Sequence, residues 1–221
     1  MKHNWNFSSV FAYWDVLLIG LSGTVTLFAI TCIAGLSGGL VIGMLRYSKN
    51  KWMSYPARLY VEVFRNTPVL VQIIWFFFAM PVVIGVEISA FMAAFLGITL
   101  NTAAFSAEVF RGGIQSIERE QWEAGKAIGM NYGATMRRII LPQALKRMLP
   151  PLTSRGIEVF KMSTLASVVA SPDTLQQATL IASYEYNPIE TYTIVALMFF
   201  LVLLPMVQLT YLLERRFGKA D

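Results

Sequence analysis

Residues Val16–Leu45 form an uninterrupted apolar run, VLLIGLSGTVTLFAITCIAGLSGGLVIGML, that carries no charged side chain. A helix needs about 20 mainly apolar residues to cross a bilayer, so this run predicts a membrane-spanning helix. It is too long for the apolar core of a signal peptide, and no A-x-A cleavage site follows it. A glycine recurs at every fourth position from Gly35 through Gly39 to Gly43. This spacing predicts that a second helix packs closely against one face of the first.

The chain as a whole is also markedly apolar. Its 221 residues are 56% hydrophobic and 14% charged, whereas a soluble domain carries roughly 25% charge. This composition excludes an ordinary soluble enzyme, a disordered tail and a disulfide scaffold, and the single cysteine, Cys32, can form no internal disulfide. We predict an all-α integral membrane protein with about five transmembrane helices in one domain over residues 1–221. The four further apolar stretches lie at about Leu59–Val86, Ile88–Ala107, Leu152–Val169 and Ile189–Leu213.

Lysine and arginine are concentrated in three regions that the apolar stretches separate. Cytoplasmic loops of membrane proteins retain an excess of Lys and Arg, so we predict an N-terminus outside and a C-terminus in the cytoplasm. This topology explains the net charge of +5 without nucleic acid, for which the chain shows no aromatic and basic recognition module. These three regions hold 14 of the 18 basic residues: Arg46, Lys49, Lys51 and Arg58; Arg111, Arg119, Lys126, Arg137, Arg138, Lys146 and Arg147; and Arg215, Arg216 and Lys219.

The segment at about 117–149 is the only sizeable piece predicted to lie in water, and it is too short to hold a core of its own. Its pattern predicts a short helix, a tight turn and a second short helix that project from the membrane. Such a hairpin would offer a small apolar surface surrounded by cations to another protein. The residues that define it are Ala124, Ala127 and Ile128 on one face, Gly129 at the turn, Asn131 as an N-cap and Pro142 as the end of the second helix.

This hairpin resembles the EAA loop of ATP-binding-cassette (ABC) importer permeases, which has an E-A-A triplet, a glycine a few residues later and a closing I-x-L-P. Two further segments, YVEVFRNTPVLVQ at 60–72 and AEVFRGGIQS at 107–116, look like the polar amino acid permeases of the histidine/glutamine/glutamate type. Gly125 replaces the usual second alanine, and we expect it to loosen the helix by about 1 kcal/mol. The residues to which the resemblance assigns ATPase coupling are Glu123, Ala124, Gly125, Gly129, Leu141 and Pro142.

The resemblance implies a type I ABC importer permease in a bacterial inner membrane, crossing it several times. The chain would be half of a translocation path completed by a second permease subunit, either identical or related. Each hairpin would dock on one subunit of a cytoplasmic ABC ATPase dimer, and an extracytoplasmic solute-binding protein would deliver the amino acid. The chain holds no G-x-x-x-x-G-K-[ST] motif, so ATP and Mg²⁺ would be bound by the partner ATPase. We expect no cofactor, no metal site and no enzymatic activity in the chain itself.

Polar residues within the spans are the candidates for substrate binding, because an ionisable group in a bilayer usually faces a cavity or the protein interior. Arg155 could pair with a substrate carboxylate, while Glu158 could meet the substrate ammonium or only neutralise Arg155. The resemblance places a substrate contact at Asn101, although an interhelical hydrogen bond is the alternative. Met162 stands where related permeases for arginine carry an acid, which favours glutamate or aspartate, with glutamine as the alternative. The candidates are Asn101, Phe105, Arg155, Glu158, Met162 and Gln72.

Two other classes of membrane protein are disfavoured by the sequence. An intramembrane enzyme would need a nucleophile and base or a set of metal ligands, but the single histidine is His3, near the N-terminus. An ion-coupled secondary transporter usually shows an inverted repeat, which this chain lacks. The pairs Glu62–Arg65 and Glu108–Arg111 have i, i+3 spacing near span ends, and we expect them to tie helices together.

Overall fold

The computed structural model describes residues 5–48 and 50–217, and the regular structure of these residues is entirely helical, as predicted. His3, Lys49 and Lys219, which entered the predictions above, lie outside the described residues. The short turn Thr164–Val169 is a 3-10 helix. In chain order the helices are α1 (Ser8–Phe11), α2 (Trp14–Tyr47), α3 (Lys51–Asn66), α4 (Val69–Ile84), α5 (Ala90–Gln115), α6 (Arg119–Ala127), α7 (Tyr132–Thr135), α8 (Leu141–Ser163), α9 (Thr174–Glu185) and α10 (Pro188–Phe217).

Among the described residues, three long helices, α2, α5 and α10, are apolar enough to cross a membrane by themselves. Helices α3 and α4 are long and apolar enough to cross a membrane only when they are taken together, and the chain bends by 103° between them. The fourth predicted span does not qualify alone, because Arg155, Glu158 and Lys161 lie in it. By length and composition the described structure therefore provides three spans, or four when the bent pair counts as one.

The glycine-lined face of α2 packs directly on α5, which confirms the close approach predicted from the four-residue spacing. A Cβ atom added at Gly35 would lie 2.7 Å from Cγ2 of Thr102, and one at Gly39 would lie 2.5 Å from Cβ of Ser106. Any larger side chain would push these helices apart. The two helices thus form the centre of the bundle through small residues on both partners.

Two π-helical turns precede prolines inside otherwise continuous helices. The turn Trp75–Ala79 comes just before Pro81, and the turn Met136–Ile140 comes just before Pro142. A proline within a helix lacks an N–H group and clashes with the carbonyl four residues earlier, and in both cases that carbonyl lies in the wider π turn. The prediction that the second hairpin helix ends before Pro142 is therefore wrong, because α7 continues through the π turn into α8.

The two ends of the bundle carry different kinds of residue. At one end α1, α9 and the start of α10 pack around the N-terminal part of α2, burying Val10 and Leu17, and the Tyr13 hydroxyl donates to Glu185 over 2.8 Å. At the other end the C-terminal part of α5 meets the hairpin and the start of α8 around Ile140. The basic segments therefore share one end, as the charge pattern predicts. The side of the membrane that this end faces remains a prediction.

Candidate functional site

The bend between α3 and α4 leaves the backbone carbonyl of Phe64 without a helical partner, because the residue four positions later is Pro68 and has no N–H group. Asn101 on α5 donates through Nδ2 to this carbonyl over 2.8 Å, and Gln72 on α4 donates through Nε2 over 2.9 Å. Nε2 of Gln72 also donates to the carbonyl of Thr67 over 2.8 Å. Two of the predicted substrate residues, Asn101 and Gln72, thus meet at one carbonyl and hold the bend.

Arg155 on α8 joins the same network through Asn101. Its Nη2 donates to Oδ1 of Asn101 over 2.7 Å, and its Nη1 donates to Oε2 of Glu158 over 2.7 Å. The guanidinium lies 4.3 Å from the centroid of the Phe105 ring, which is a cation–π distance. Arg155 is 7% exposed, whereas the side chain of Glu158 is 60% exposed. Three predicted residues, Asn101, Phe105 and Glu158, therefore surround the buried Arg155 cation, and Glu158 is its counter-ion.

Met162 and Gln72 form no hydrogen bond with Arg155 itself in the described structure, although Gln72 shares the Phe64 carbonyl with Asn101. Met162 is partly buried and packs on the apolar cluster that includes Val159 and Val169, so its surroundings among the described residues are apolar. Gln72 borders a cavity of about 370 Å³ at the bend, and its Oε1 is buried without a hydrogen bond from the described residues. The cavity is lined by Val63, Phe64, Thr67, Val71, Gln72, Trp75 and Phe76.

Sequence reasoning missed two members of this site. The guanidinium of Arg65, at the end of α3, lies 5.1 Å from the centroid of the same Phe105 ring that Arg155 covers. The second missed member is the Phe64 carbonyl, which accepts hydrogen bonds from the side-chain amides of Asn101 and Gln72. The proline four residues after Phe64 is a signal in the sequence that marks this carbonyl as free. No comparable signal places Arg65 beside Phe105.

Glu108 on α5 connects three helices, which is the role predicted for the charged pairs near span ends. Its carboxylate contacts Arg46 of α2, and Oε2 lies 2.8 Å from Nη2 of Arg111 and 3.8 Å from Nη1 of Arg65. The predicted pairing of Glu62 with Arg65 is not formed in the described structure, since Arg65 is near Glu108 instead. One carboxylate thus offsets the charge of several arginines at the basic end of the bundle.

The predicted hairpin turns at Gly129, as expected. This residue has φ of 76°, a left-handed conformation that glycine adopts without strain. The Met130 amide donates to the Gly125 carbonyl over 3.0 Å, and the Gly129 amide donates to the Lys126 carbonyl over 3.0 Å. These two hydrogen bonds form a Schellman motif that closes the end of α6.

The second helix of the hairpin begins at the predicted N-cap, because Oδ1 of Asn131 accepts from the Ala134 amide over 2.9 Å. The tip of the hairpin is open to solvent: Ile128 is 73% exposed, and Glu123 and Ala124 are also exposed. Glu123 forms an ion pair with Arg119 one turn earlier, with 3.1 Å between Oε1 and Nε. Leu141 and Pro142 lie further along, at the start of α8.

Gly125 has a packing role that replaces the expectation of a loosened hairpin. It is buried, and a Cβ atom added there would lie 2.7 Å from Cγ2 and 2.8 Å from Oγ1 of Thr135. The absence of a side chain therefore lets α6 approach α7 closely. Lower helix propensity at Gly125 accompanies tighter packing of the two helices.

The described residues form a helical bundle with a broken span, a buried polar network and a basic hairpin at one end, and these features are those expected of a transport protein subunit. The family model described as "Binding-protein-dependent transport system inner membrane component" matches residues 35–219. The chain belongs to this family.

Several relatives are permease proteins of amino acid transport systems. The chain is 36% identical to the probable amino-acid ABC transporter permease protein YckA of Bacillus subtilis (strain 168), over 90% of this chain and 88% of YckA. It is 30% identical to the arginine transport system permease protein ArtQ of the same organism, over 99% and 100% of the two chains. It is 33% identical to the glutamine transport system permease protein GlnP of Escherichia coli (strain K12), over 98% of both chains.

A solved structure described as "Crystal structure of an amino acid ABC transporter with histidines" has the same fold. The TM-score is 0.91 at 34% sequence identity, covering 97% of this chain and 100% of that chain. These similarities confirm the resemblance noted from the EAA-like hairpin. The chain is a membrane permease subunit of an amino acid ABC importer.

Proposed function

We propose that this permease moves a polar amino acid into the cytoplasm by alternating access, driven by a separate ATPase dimer that binds ATP and Mg²⁺. A second permease subunit would complete the path, and an extracytoplasmic binding protein would deliver the substrate. The observation that carries the substrate site is the buried network in which Arg155 bonds to Asn101 and Glu158 over 2.7 Å each.

The hairpin is the proposed contact with the ATPase. Its tip exposes Ile128 and Ala124 beside Glu123, while the Gly129 turn and the Asn131 cap hold its shape. The hairpin is continuous with α8. A movement of the partner ATPase can therefore be transmitted through the hairpin to α8. Such a transporter needs two packings of similar energy, each favoured by a different ligand.

The charges around Arg155 favour a neutral polar amino acid such as glutamine. Arg155 and Glu158 together are close to neutral, and they match the carboxylate and the ammonium that every free amino acid carries. Amide groups of Asn101 and Gln72 lie nearby and suit a polar side chain without charge. A glutamate or aspartate is the second candidate, because Arg65 brings another guanidinium to the Phe105 ring.

Direct binding to the purified permease complex, without the binding protein, tests the substrate class. We expect glutamine to compete for the site more strongly than glutamate. Glu158→Gln leaves the Arg155 charge without its counter-ion and should shift the preference toward glutamate. Lys161→Gln, at an exposed position of the same helix, is the control and should change neither affinity. Stronger binding of glutamate than of glutamine by the unchanged chain would support the second candidate.

Reconstituted vesicles test the coupling role. Uptake should require ATP and the binding protein, and Glu123→Lys or Gly129→Asp should abolish it while the chain still inserts in the membrane. Glu120→Lys, an exposed change of the same charge in the same helix, serves as the control. Normal uptake by both hairpin variants would contradict the docking role.

A further inference from the structure

Three cavities adjoin at Tyr47, at the C-terminal end of α2. One of about 570 Å³ is lined by polar and cationic residues of α2, α3 and α5. One of about 360 Å³ is lined by apolar residues of α2, α5, α8 and the π turn that precedes α8. A third of about 420 Å³ lies among Met44, Tyr47, Ser48 and Tyr132 of the hairpin. Tyr47 borders all three cavities, so a polar and an apolar compartment are neighbours at the basic end of the bundle.

The polar cavity carries an excess of positive charge. Arg46, Arg58 and Arg111 line it, together with one acid among the described lining residues, Glu62. Glu108 contacts Arg46 and Arg111 from within the bundle, but Arg58 is exposed and has no ion pair with any described residue. Guanidinium groups bind phosphate oxygens through paired hydrogen bonds. The cavity therefore suits a phosphate group.

The apolar cavity opens toward the surface that would face lipid. Leu40 and Met44 of α2 are 40% and 54% exposed, and Leu145 of α8 is 44% exposed. The rise along α2 from Leu40 to Arg46 is about 9 Å, which keeps the apolar wall within two turns of the cations. A soluble phosphate compound would use only the polar cavity. A molecule with a phosphate group and a hydrocarbon chain would use both.

We propose that these cavities bind one anionic phospholipid, with its phosphate near Arg58 and Arg111 and one acyl chain along Met44 and Leu145. The site adjoins the coupling hairpin, because Tyr132 borders the middle cavity and stacks on Trp122 with 5.5 Å between ring centroids. The bound lipid thus braces the hairpin against the end of α2.

Native mass spectrometry of the full-length chain, equilibrated in detergent with phosphatidylglycerol and phosphatidylcholine, tests the proposal. We expect the chain to retain phosphatidylglycerol in preference to phosphatidylcholine. Arg58→Gln should lower this retention about 5-fold, because each cation near a membrane surface contributes roughly that factor to the binding of anionic lipid. Arg215→Gln, a change of equal charge at an exposed position of α10, should leave retention unchanged.

A second pair of variants tests the apolar half of the site. Met44→Trp fills the apolar cavity and should lower lipid retention, whereas Ile33→Trp, at a 70% exposed position of the same helix, should not. Millimolar inorganic phosphate should fail to displace the lipid. Equal retention of the two lipids, equal loss in Arg58→Gln and Arg215→Gln, equal effects of the two tryptophan variants, or displacement by phosphate would each overturn the proposal. None of these measurements depends on transport.

Discussion

The hairpin of residues 118–140 and the polar network around Arg155 belong to one transport subunit but are held together differently. The hairpin is stabilised by contacts between residues near in the chain, such as the Gly129 turn and the Asn131 cap. The network joins residues 54 positions apart at Arg155 and Asn101 and 37 positions apart at Asn101 and Phe64. The hairpin could therefore be predicted from local sequence rules, whereas the network depends on how three separate helices pack.

The two regions also differ in exposure, and this decides how each responds to substitution. Most of the hairpin tip is in contact with solvent, so a changed charge there can be hydrated and affects partner binding more than folding. The Arg155 guanidinium is buried, and its two terminal nitrogens donate to Glu158 and Asn101. Removal of one member leaves the others unpaired in an apolar setting, which costs folding free energy.

Arg155→Glu should have the largest effect on stability. The change replaces a buried cation by a carboxylate that faces Glu158 and Oδ1 of Asn101, and it removes the contact with the Phe105 ring. We expect a loss of about 3–5 kcal/mol in the free energy of unfolding, toward the lower figure because Glu158 is largely hydrated. Substrate binding should be lost as well. Thermal unfolding in detergent measures the effect, with Lys161→Glu as the exposed control; an unchanged midpoint would show that the network does not hold the helices.

Asp173 is a buried N-cap, whereas Asn131 is an exposed one, and Asp173→Asn tests what burial of the carboxyl costs in stability. Asp173 lies between the predicted fourth and fifth spans, its Oδ1 accepts from the Gln176 amide over 2.7 Å, and burial raises the pKa of its carboxyl from 3.8 to about 6. The folded state therefore holds the proton more tightly than the unfolded chain. That stabilising contribution is complete below about pH 4 and is lost as the pH rises through 6.

Asparagine retains an oxygen acceptor for the cap and has no charge to bury. The variant should be more stable than the unchanged chain at pH 7, by up to about 3 kcal/mol, and nearly equal to it at pH 4. Unfolding midpoints across this pH range measure the difference. A difference that stays constant from pH 4 to 7 would show that the carboxyl of Asp173 does not titrate in this window.

Gly125→Ala tests whether the hairpin depends on close packing or only on helix propensity. The new methyl group would clash with Thr135, and we expect a net loss of about 1–2 kcal/mol in local stability after the gain in helix propensity. Hydrogen exchange at the amides of α6 measures this opening. Gly125→Ala combined with Thr135→Ala should restore protection, and Gly133→Ala, where the nearest atom is 3.7 Å away, is the control. Increased protection in the single variant would contradict the packing role.

Asn131→Ala should have the smallest effect. It removes the side-chain acceptor for the Ala134 amide and should cost about 1 kcal/mol of hairpin stability. Asn131→Asp retains the acceptor and should behave like the unchanged chain in the same hydrogen-exchange measurement. If the two variants exchange equally fast, the cap contributes nothing to the hairpin.

Two predictions failed because a single residue was interpreted without its structural surroundings. Pro142 does not end its helix, because the preceding π turn accommodates the proline ring. Gly125 does not simply weaken α6, because Thr135 fills the space that an alanine would need. The Phe64 carbonyl could have been identified from Pro68 four residues later, but the positions of its two amide donors could not.

Sequence alone determined the helical membrane class, the basic end of the bundle, the glycine-lined contact face of α2 and the turn and cap of the hairpin. Each of these follows from composition, from helical spacing or from the conformational preference of one residue, and none of them depends on which distant side chains meet. Only the tertiary structure decided that Arg155, Asn101, Phe105 and Arg65 share one site and that Glu108 joins three helices. Contacts of that kind arise when distant helices pack together, and spacing along the chain does not encode which side chains of two distant helices meet.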